Sequence, residues 1–172
     1  MMKQGLCIVA AACMGALLFS ACARQTVWET IGDDCCGAPE AAGYEIAVEL
    51  PDDAVEEVFS DRGSKRLYAQ PGGGYEITTQ VLSAATQEQA VRQLSGFDQQ
   101  ALHVYEGTSD GRPVWQFAWY ASTDEGGRVY RARVICDGGC CYALTFSAPE
   151  GSGGAYDTIA SAVFTSMELQ PV

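Results

Sequence analysis

Three cysteines lie close together in the stretch RVYRARVICDGGCCYALTFSA, which spans residues 128 to 148. Cys136 precedes the turn-like sequence at 137 to 139, and Cys140 and Cys141 follow it directly. Thiols at such spacing can bind a metal ion, carry out thiol–disulfide exchange or form structural disulfides. These alternatives need different partner residues and different cellular compartments, so the rest of the chain decides between them.

Partners for metal or catalytic chemistry are few. His103 is the only histidine, so a His-rich metal site cannot form, and no Ser or Cys nucleophile has an identifiable His neighbour. A zinc site would use Cys136 and Cys140 with Cys35 or Cys36, and the Cys-x-x-Cys motif of thioredoxin-type chemistry is absent. Carboxylates are plentiful, but nothing in the sequence selects a hydrolytic pair. No catalytic residue, metal or cofactor is therefore predicted, and an envelope thiol oxidoreductase or hydrolase is the alternative.

The charge of the chain excludes one class of partner. Its 172 residues carry a formal net charge of -12 at pH 7, and eleven of the 22 acids fall between residues 22 and 61. Such a surface repels phosphate groups, so nucleic acid is not expected to bind. The hydrophobic share of 48% against 19% charged residues is sufficient for a packed core.

Residues 1–21 have the pattern of a signal peptide. Lys3 precedes an almost wholly apolar run from 5 to 19, which is too short to span a bilayer comfortably. The sequence that follows, Phe-Ser-Ala-Cys at 19 to 22, resembles the lipobox of bacterial lipoproteins. This resemblance implies a covalent lipid on Cys22 and a protein anchored to the cell membrane, on its extracytoplasmic face, by acyl chains such as palmitate.

The segment that follows the signal peptide is predicted to be a tether. Residues 22–43, which include the lipidated cysteine, are acidic and show no sustained periodicity. Export exposes the remaining cysteines to an oxidising or thiol-poor compartment, where disulfides are the default. A structural role is therefore favoured over redox or metal chemistry for the five that remain, Cys35, Cys36, Cys136, Cys140 and Cys141.

The register of the hairpin around 137 to 139 decides which cysteines meet. A two-residue Gly-Gly turn sets Cys136 opposite Cys141, whereas a three-residue loop sets it opposite Cys140. The longer loop gathers only apolar side chains on one face, and a one-residue slip would expose them, so it is the prediction. It gives one bridge from Cys136 to Cys140 and a second from Cys141 to Cys35 or Cys36, with one thiol of that pair left over.

Alternating and helical patterns define the other elements. Residues 44–50 alternate as a half-buried strand, and an apolar pattern at 54–59 predicts a short helix after it. Thr86 begins a capping box for a helix that stops at Gly96. The clearest helix has its apolar stripe at Tyr156, Ile159, Ala160, Val163, Phe164 and Met167. Strands are predicted at 65–70, 75–83, 102–108, 114–122 and in both arms of the cysteine-bearing hairpin.

This order predicts an α+β domain over residues 44–172, with helices laid on an antiparallel sheet. The leading strand that ends in Pro51, the strand at 142–149 before the long last helix, and the closing sequence at 166–169 resemble the PsbP/Mog1-like fold, including small bacterial lipoproteins of the DcrB type. The resemblance covers residues 44–170. It implies a layered sandwich with about six to seven strands, and a binding, assembly or structural accessory role without a catalytic residue.

One strand carries the residues that are predicted to face a ligand. Trp115, Phe117 and Trp119 alternate along 114–122, a pattern that usually belongs to the core but can also floor a groove. Trp115, Trp119 and Tyr120 are the predicted ligand face. The expected function is a non-catalytic binding or accessory module of the envelope with an envelope protein as partner, and a structural spacer is the further alternative.

Overall fold

The computed structural model describes residues 43–59, 65–124, 126–152 and 154–172. The predicted signal peptide and Cys22, Cys35 and Cys36 lie outside these ranges. The elements in chain order are β1 (Tyr44–Ala47), β2 (Val55–Phe59), β3 (Lys65–Ala69), β4 (Glu76–Leu82), α1 (Gln87–Ser95), a 3-10 helix (Gln99–Ala101), β5 (Tyr105–Ser109), β6 (Arg112–Thr123), β7 (Gly126–Asp137), β8 (Cys140–Pro149), α2 (Asp157–Thr165) and β9 (Glu168–Pro171).

Seven strands form one antiparallel sheet in the order β2-β3-β4-β8-β7-β6-β5. The first and last strands, β1 and β9, pair separately as a two-stranded antiparallel ribbon. The strand β8 lies in the middle of the large sheet and is buried from Cys140 to Ala148. The predicted α+β class, with an antiparallel sheet flanked by helices, is confirmed.

The closed face of the sheet is the side that carries Ile77, Leu144 and Phe146. The helix α2 covers it with the stripe that the sequence predicts, and Ala160 and Val163 of that stripe are buried. The β1–β9 ribbon and the residues just after β1 cover more of the same face through partly buried apolar side chains, which are Tyr44, Ile46, Val48, Leu50 and Leu169. The helix α2 and the ribbon therefore both cover this side.

The open face is the opposite side, which carries Val134, Ala143 and Trp119. The helix α1 packs there through Val91 and Leu94. The predicted capping box sets the start of α1, because Thr86 Oγ1 accepts a hydrogen bond from the Gln89 amide at 3.3 Å. The left-handed Gly96, at φ 73°, ends it.

The hairpin between β7 and β8 has the shorter of the two registers. Cys136 pairs with Cys141, and Gly138 and Gly139 form a two-residue turn with positive φ at both positions. The predicted three-residue loop is wrong. That prediction assumed that only one face of β8 is buried, but both faces are, so the register with the two-residue turn leaves no apolar side chain of β8 exposed. The half-buried Arg133 of β7 has a partner for its charge, since its Nη1 donates to Phe164 O near the end of α2 at 2.7 Å.

The disulfide follows the register. Cys136 is bonded to Cys141, so the predicted bridge from Cys136 to Cys140 is wrong and Cys141 is not available to Cys35 or Cys36. The thiol of Cys140 points to the closed face and is buried there. The observed bridge closes a loop with a sequence separation of only 5, so its effect is smaller than that of the predicted long loop, about 2 kcal/mol on chain-entropy grounds.

The segment predicted as a short helix is the edge strand β2. Its Val55 pairs with Ala69 of β3, with a bulge between Glu56 and Val58. The pattern of apolar residues fits a helix and a strand equally over five residues, and pairing with β3 decides between them. The sequence also gave no separate signal for β9, which has four residues.

Candidate ligand groove

A groove follows the edge of α1 across the open face. Its floor belongs to β3, β4, β8, β7 and β6, and its lining residues are Lys65, Thr78, Gln80, Gln93, Leu94, Trp119, Ala121, Ser122, Thr123, Tyr130 and Thr145. Strands lie about 4.8 Å apart, so the five floor strands give the groove a length of about 19 Å. The cavity volume of the groove is about 50 Å³, and the empty space is about 560 Å³ when open solvent at its mouth is included.

The groove exists because α1 is short. Its nine residues extend about 14 Å along the helix axis. The strands below it, β6, β7 and β8, have twelve, twelve and ten residues, or about 34 to 41 Å of extended chain. The helix therefore covers only part of the open face and leaves the rest of each strand uncovered by it.

Strand pairing fixes the order of side chains on the floor. Lys65 pairs with Gln80, and Thr78 pairs with Thr145. Tyr130 pairs with Trp119 on the other side of β8. The floor thus changes from a lysine and an amide at the β3 end, through two hydroxyls in the middle, to aromatic rings at the β6 end.

The aromatic end is rigid. The ring of Trp119 stacks on Tyr130 with centroids 5.1 Å apart and planes 11° from parallel, and on Phe117 with centroids 5.6 Å apart. Trp119 is 8% exposed, so it offers an edge to the groove rather than a free ring face. Burial raises the pKa of Tyr130 above its ordinary value, which keeps its hydroxyl protonated.

The polar part contains an acceptor that is not satisfied. Gln93 Oε1, on α1, is buried and has no hydrogen-bond partner among the described residues. A buried carbonyl oxygen without a donor costs free energy, so such groups normally find a partner. The wall of the groove therefore presents an acceptor that a hydrogen-bond donor of a ligand can satisfy.

The charge of the groove is opposite to that of the whole protein. The chain carries -12, whereas Lys65 is the only charged side chain among the described residues that line the groove. Burial lowers the pKa of Lys65 from its usual range, because the amine is partly withdrawn from water. The described lining of the groove contains no carboxylate.

A partly buried ion pair flanks the groove without being part of its lining. Arg128, which is 6% exposed, donates to Ser147 Oγ at 3.0 Å and lies 3.4 Å from Glu76 Oε1. Glu76 lies two residues before the groove residue Thr78 and therefore points to the same face of β4. The guanidinium therefore neutralises the nearest carboxylate of the floor strands.

The structure separates the predicted ligand face. Trp119 lines the groove, and Trp115 packs against the same hydrophobic cluster without lining the groove. Tyr120 points to the opposite side of the sheet, where it is 46% exposed and donates to Glu150 Oε2 at 3.0 Å. The sequence did not predict the lysine, threonine and glutamine residues of the groove. Their only signal was a polar side chain at a strand position whose alternation predicts an inward-facing residue, as at Lys65.

The other candidate residues lie elsewhere. The disulfide and Cys140 do not line the groove. His103 is exposed, and its ring meets Tyr105 edge-on at 4.5 Å. Within the described ranges, no group of three or more His, Cys, Asp or Glu side chains is arranged to hold a metal ion. The same part of the chain contains no helix that is long and apolar enough to cross a membrane.

Comparison with known proteins identifies the fold. No protein-family model and no curated protein matches the chain. PsbP of Synechocystis is 12% identical, with a TM-score of 0.52 over 79% of this chain and 98% of that protein. LpqN of Mycobacterium tuberculosis, described as involved in cell envelope biogenesis, is 16% identical, with a TM-score of 0.50 over 85% and 98%. The chain therefore has a PsbP-like fold, as the sequence predicts.

A third solved structure is similar to this chain at a lower score. It is a protein of Bacteroides thetaiotaomicron, with 15% identity and a TM-score of 0.48 over 73% of this chain. The chain spans only 45% of the length of that protein.

Proposed function

We propose that this protein is a lipid-anchored binding module on the extracytoplasmic face of the cell envelope, and that its ligand occupies the groove beside α1. The observation that carries the proposal is the groove itself. Its floor combines the polar Thr78 and Thr145 with the buried Trp119, beside the unsatisfied acceptor of Gln93. Ligand sites typically combine an apolar surface with a few convergent polar groups in this way.

The lining side chains suit binding better than catalysis. They supply hydroxyls, amides and the amine of Lys65, and none of the described residues that line the groove is Asp, Glu, His or Cys. A nucleophile needs a base within hydrogen-bond reach, and the lining offers no such pair. The thiol alternative is also less favoured, because Cys136 and Cys141 are bonded to each other.

The anchor is proposed from the lipobox-like sequence that ends at Cys22. Two or three acyl chains would hold the protein stably, since each buried methylene adds about 0.8 kcal/mol. The PsbP-like fold shared with LpqN, which is described as involved in cell envelope biogenesis, supports an envelope role. A spacer between membrane and wall is the second candidate, and it would need no groove.

Filling the groove tests the binding role. Thr78→Trp places an indole on the groove floor, and Thr108→Trp makes the same change on the exposed edge strand β5. Saturation-transfer NMR would screen the full chain in detergent against N-acetyl amino acids, hydroxycarboxylates and monosaccharides. We expect signals for at least one class that Thr78→Trp abolishes and Thr108→Trp retains. Equal spectra for all three proteins, or no signal at all, would contradict the proposal.

Cys22→Ala tests the anchor. Metabolic labelling with an alkynyl palmitate, followed by sedimentation of membranes, should label the wild-type chain and recover it in the pellet. The variant should carry no label. Equal labelling of both chains would show that Cys22 is not the acylated residue.

A further inference from the structure

We infer that a second copy of this chain pairs with the first along the free edge of β6. The free edge is the stretch 117–123 of β6, on the side away from β7. The two strands lie antiparallel, about a two-fold axis at Tyr120. Neither the groove nor its ligand is needed for this pairing.

The free edge exists because β5 is much shorter than β6. The strand β6 has twelve residues and β5 has five. The strand β5 pairs with β6 only from Arg112 to Gln116, whereas β7 pairs with it as far as Thr123. Among the described residues, no strand therefore lies beside 117–123 on the β5 side.

Three residues of the free edge direct their backbone groups outward. In an antiparallel ladder, every second residue turns both its N–H and its C=O to the same neighbour. Arg112 flanks the two-residue turn after β5, so it and every second residue after it face the β5 side. Beyond the end of β5 these are Ala118, Tyr120 and Ser122, and all three are exposed. Within the described part of the chain, no backbone hydrogen bond uses their outward groups.

The sequence of the free edge favours pairing. Residues 117–123 read FAWYAST, with no charge, proline or glycine. Natural edge strands are usually protected against pairing by charged side chains, prolines or bulges. The opposite edge of the sheet is protected in this way, since β2 carries Glu56 and Glu57 and a bulge between Glu56 and Val58. The free edge of β6 has none of these devices.

A second copy fits the free edge in length and in charge. Two identical antiparallel edges form a two-fold pair, and all seven residues are used only if the middle one, Tyr120, meets its counterpart. Ala118 then pairs with Ser122 of the second copy. The paired residues bring no charge to the contact, whereas the chain as a whole carries -12 and repels a copy elsewhere.

The pair gains hydrogen bonds and closes on itself. The three outward residues of each copy give about six backbone hydrogen bonds between the two strands. These groups bond to water in the single chain, so the ladder replaces bonds rather than burying unpaired groups. Because the contact is two-fold and the β2 edge is protected, assembly stops at two copies.

Neighbouring side chains leave room for the approach. The ring of Tyr120 lies away from the edge, since its hydroxyl lies over Gly127 of β7 and donates to Glu150 Oε2 at 3.0 Å. The chain before β5 turns out of the sheet, because Leu102 and Val104 pack against the hydrophobic cluster of the open face. The incoming strand therefore occupies the place in line with β5.

Pairing would also bring the two grooves together. Trp119 and Ala121 line the groove on β6. The two-fold register puts Trp119 of one copy beside Ala121 of the other on the open face. The second copy then lies at the aromatic end of each groove.

Cysteine crosslinking tests the register. The background is the full chain in detergent with Cys35→Ser and Cys36→Ser. Tyr120→Cys lies on the proposed axis, so oxidation with copper phenanthroline should give a disulfide-linked dimer on a non-reducing gel. Ala118→Cys alone should give none, because its two copies would lie roughly 14 Å apart. Coexpressed Ala118→Cys and Ser122→Cys chains should crosslink, because these positions pair.

Sedimentation equilibrium of the full chain in a density-matched detergent measures the affinity of the pair. Tyr120→Lys sets two like charges opposite each other and should weaken dimerisation about tenfold. Gln116→Lys adds the same charge on the same face of β6, where β5 already pairs, and should leave the affinity unchanged. Ala118→Pro serves if the lysine variant does not fold, because it removes an outward N–H and no bond to β7.

The outcomes separate this pairing from the proposed function. A wild-type chain that stays monomeric at every concentration would overturn the pairing. A dimer that Tyr120→Lys and Ala118→Pro leave intact, or equal crosslinking from Tyr120→Cys and Ala118→Cys, would also overturn it. If the monomer still binds small molecules that Thr78→Trp abolishes, the proposed function stands while the pairing fails.

Discussion

The two faces of the sheet differ in how much of them is covered. The helices α1 and α2 have nine residues each, so neither is long enough to cover a face of strands with ten or twelve residues. The closed face has the β1–β9 ribbon as a second cover, and its Tyr75, Ile77 and Leu144 have no exposed surface. The ribbon does not pack on the open face, which carries Lys65 and Thr145 along the groove.

Because of this difference, the closed face serves mainly stability and the open face serves binding. Apolar side chains on the closed face are packed by α2 and the ribbon, so changes there create cavities and lower the free energy of unfolding. The polar side chains of the groove contribute less burial, and a ligand can reach them. One strand, β8, serves both purposes, because Leu144 points to the closed face and its neighbour Thr145 to the groove.

Leu144→Ala should have the largest effect on stability. Its side chain is fully buried in the central strand, and such truncations cost about 2 to 5 kcal/mol of unfolding free energy. Thr145→Ala, one residue along the same strand, should cost about 1 kcal/mol or less. Urea denaturation of both variants measures the contrast. Similar losses for the two residues would mean that the faces do not differ as described.

Removal of the disulfide should have the next largest effect. The bridge joins Cys136 to Cys141 at the end of the open-face cluster, and the double substitution to Ala should cost about 2 kcal/mol. Mass mapping of peptides under non-reducing conditions should recover this pair. A bond between Cys136 and Cys140 in that map would contradict the register of the hairpin.

Acid should weaken a polar contact at the margin of the closed face. The hydroxyl of Tyr75 donates to Asp53, and Gln70 Nε2 donates to the same carboxylate at 2.7 Å. These bonds, that of Tyr75 first, lower the pKa of Asp53 below its ordinary 3.8. The contribution of Asp53 to stability is therefore present above 3.8 and is lost as the pH falls through the lower, folded-state value.

Tyr75→Phe should flatten that pH dependence. Unfolding by denaturant at a series of pH values between about 2 and 6, with Tyr68→Phe as the matched control on the neighbouring strand, measures the difference. Wild-type and control curves should fall more steeply below pH 3.8 than the curve of Tyr75→Phe. Parallel curves for all three proteins would show that Asp53 gains nothing from this hydroxyl.

Lys65→Met should have the smallest effect on stability. Burial lowers the folded-state pKa of Lys65 below its ordinary 10.5, so the folded protein binds fewer protons than the unfolded chain between those two values. Wild-type stability therefore rises with pH in that window and is lower below it. Thermal unfolding at pH 7 should find the variant at least as stable as the wild type. A clear loss would mean that Lys65 stabilises the fold rather than serving the groove.

Strong periodicity made some elements predictable from sequence. The stripe of α2 from Tyr156 to Met167 and the alternation of β1 depend on local spacing alone, and both pack as expected. The register of the cysteine hairpin could not be predicted from one apolar face, because the central strand has two. The prediction of a helix at 54–59 was wrong, because only the pairing of Val55 with Ala69 distinguishes a strand from a helix there.

The groove could not be predicted from local sequence patterns for a related reason. Lys65 and Thr145 are eighty positions apart in the chain, and only the strand order β3-β4-β8 brings them to the same face. The aromatic row of β6 did indicate one side of the site through Trp119. Tyr120 could not belong to that side, because neighbouring residues of a strand point to opposite faces.

Photocrosslinking from one strand tests the central claim that the open face is the binding face. Ala121 lines the groove, and Ala118 is exposed on the other side of β6. Each would be replaced in the full chain, in cells, as Ala121→benzoylphenylalanine or Ala118→benzoylphenylalanine, and irradiated. Apart from a crosslinked homodimer, we expect a discrete adduct from position 121 that Thr78→Trp abolishes, and none from 118. Adducts of this kind from 118 alone, or from neither position, would contradict the claim.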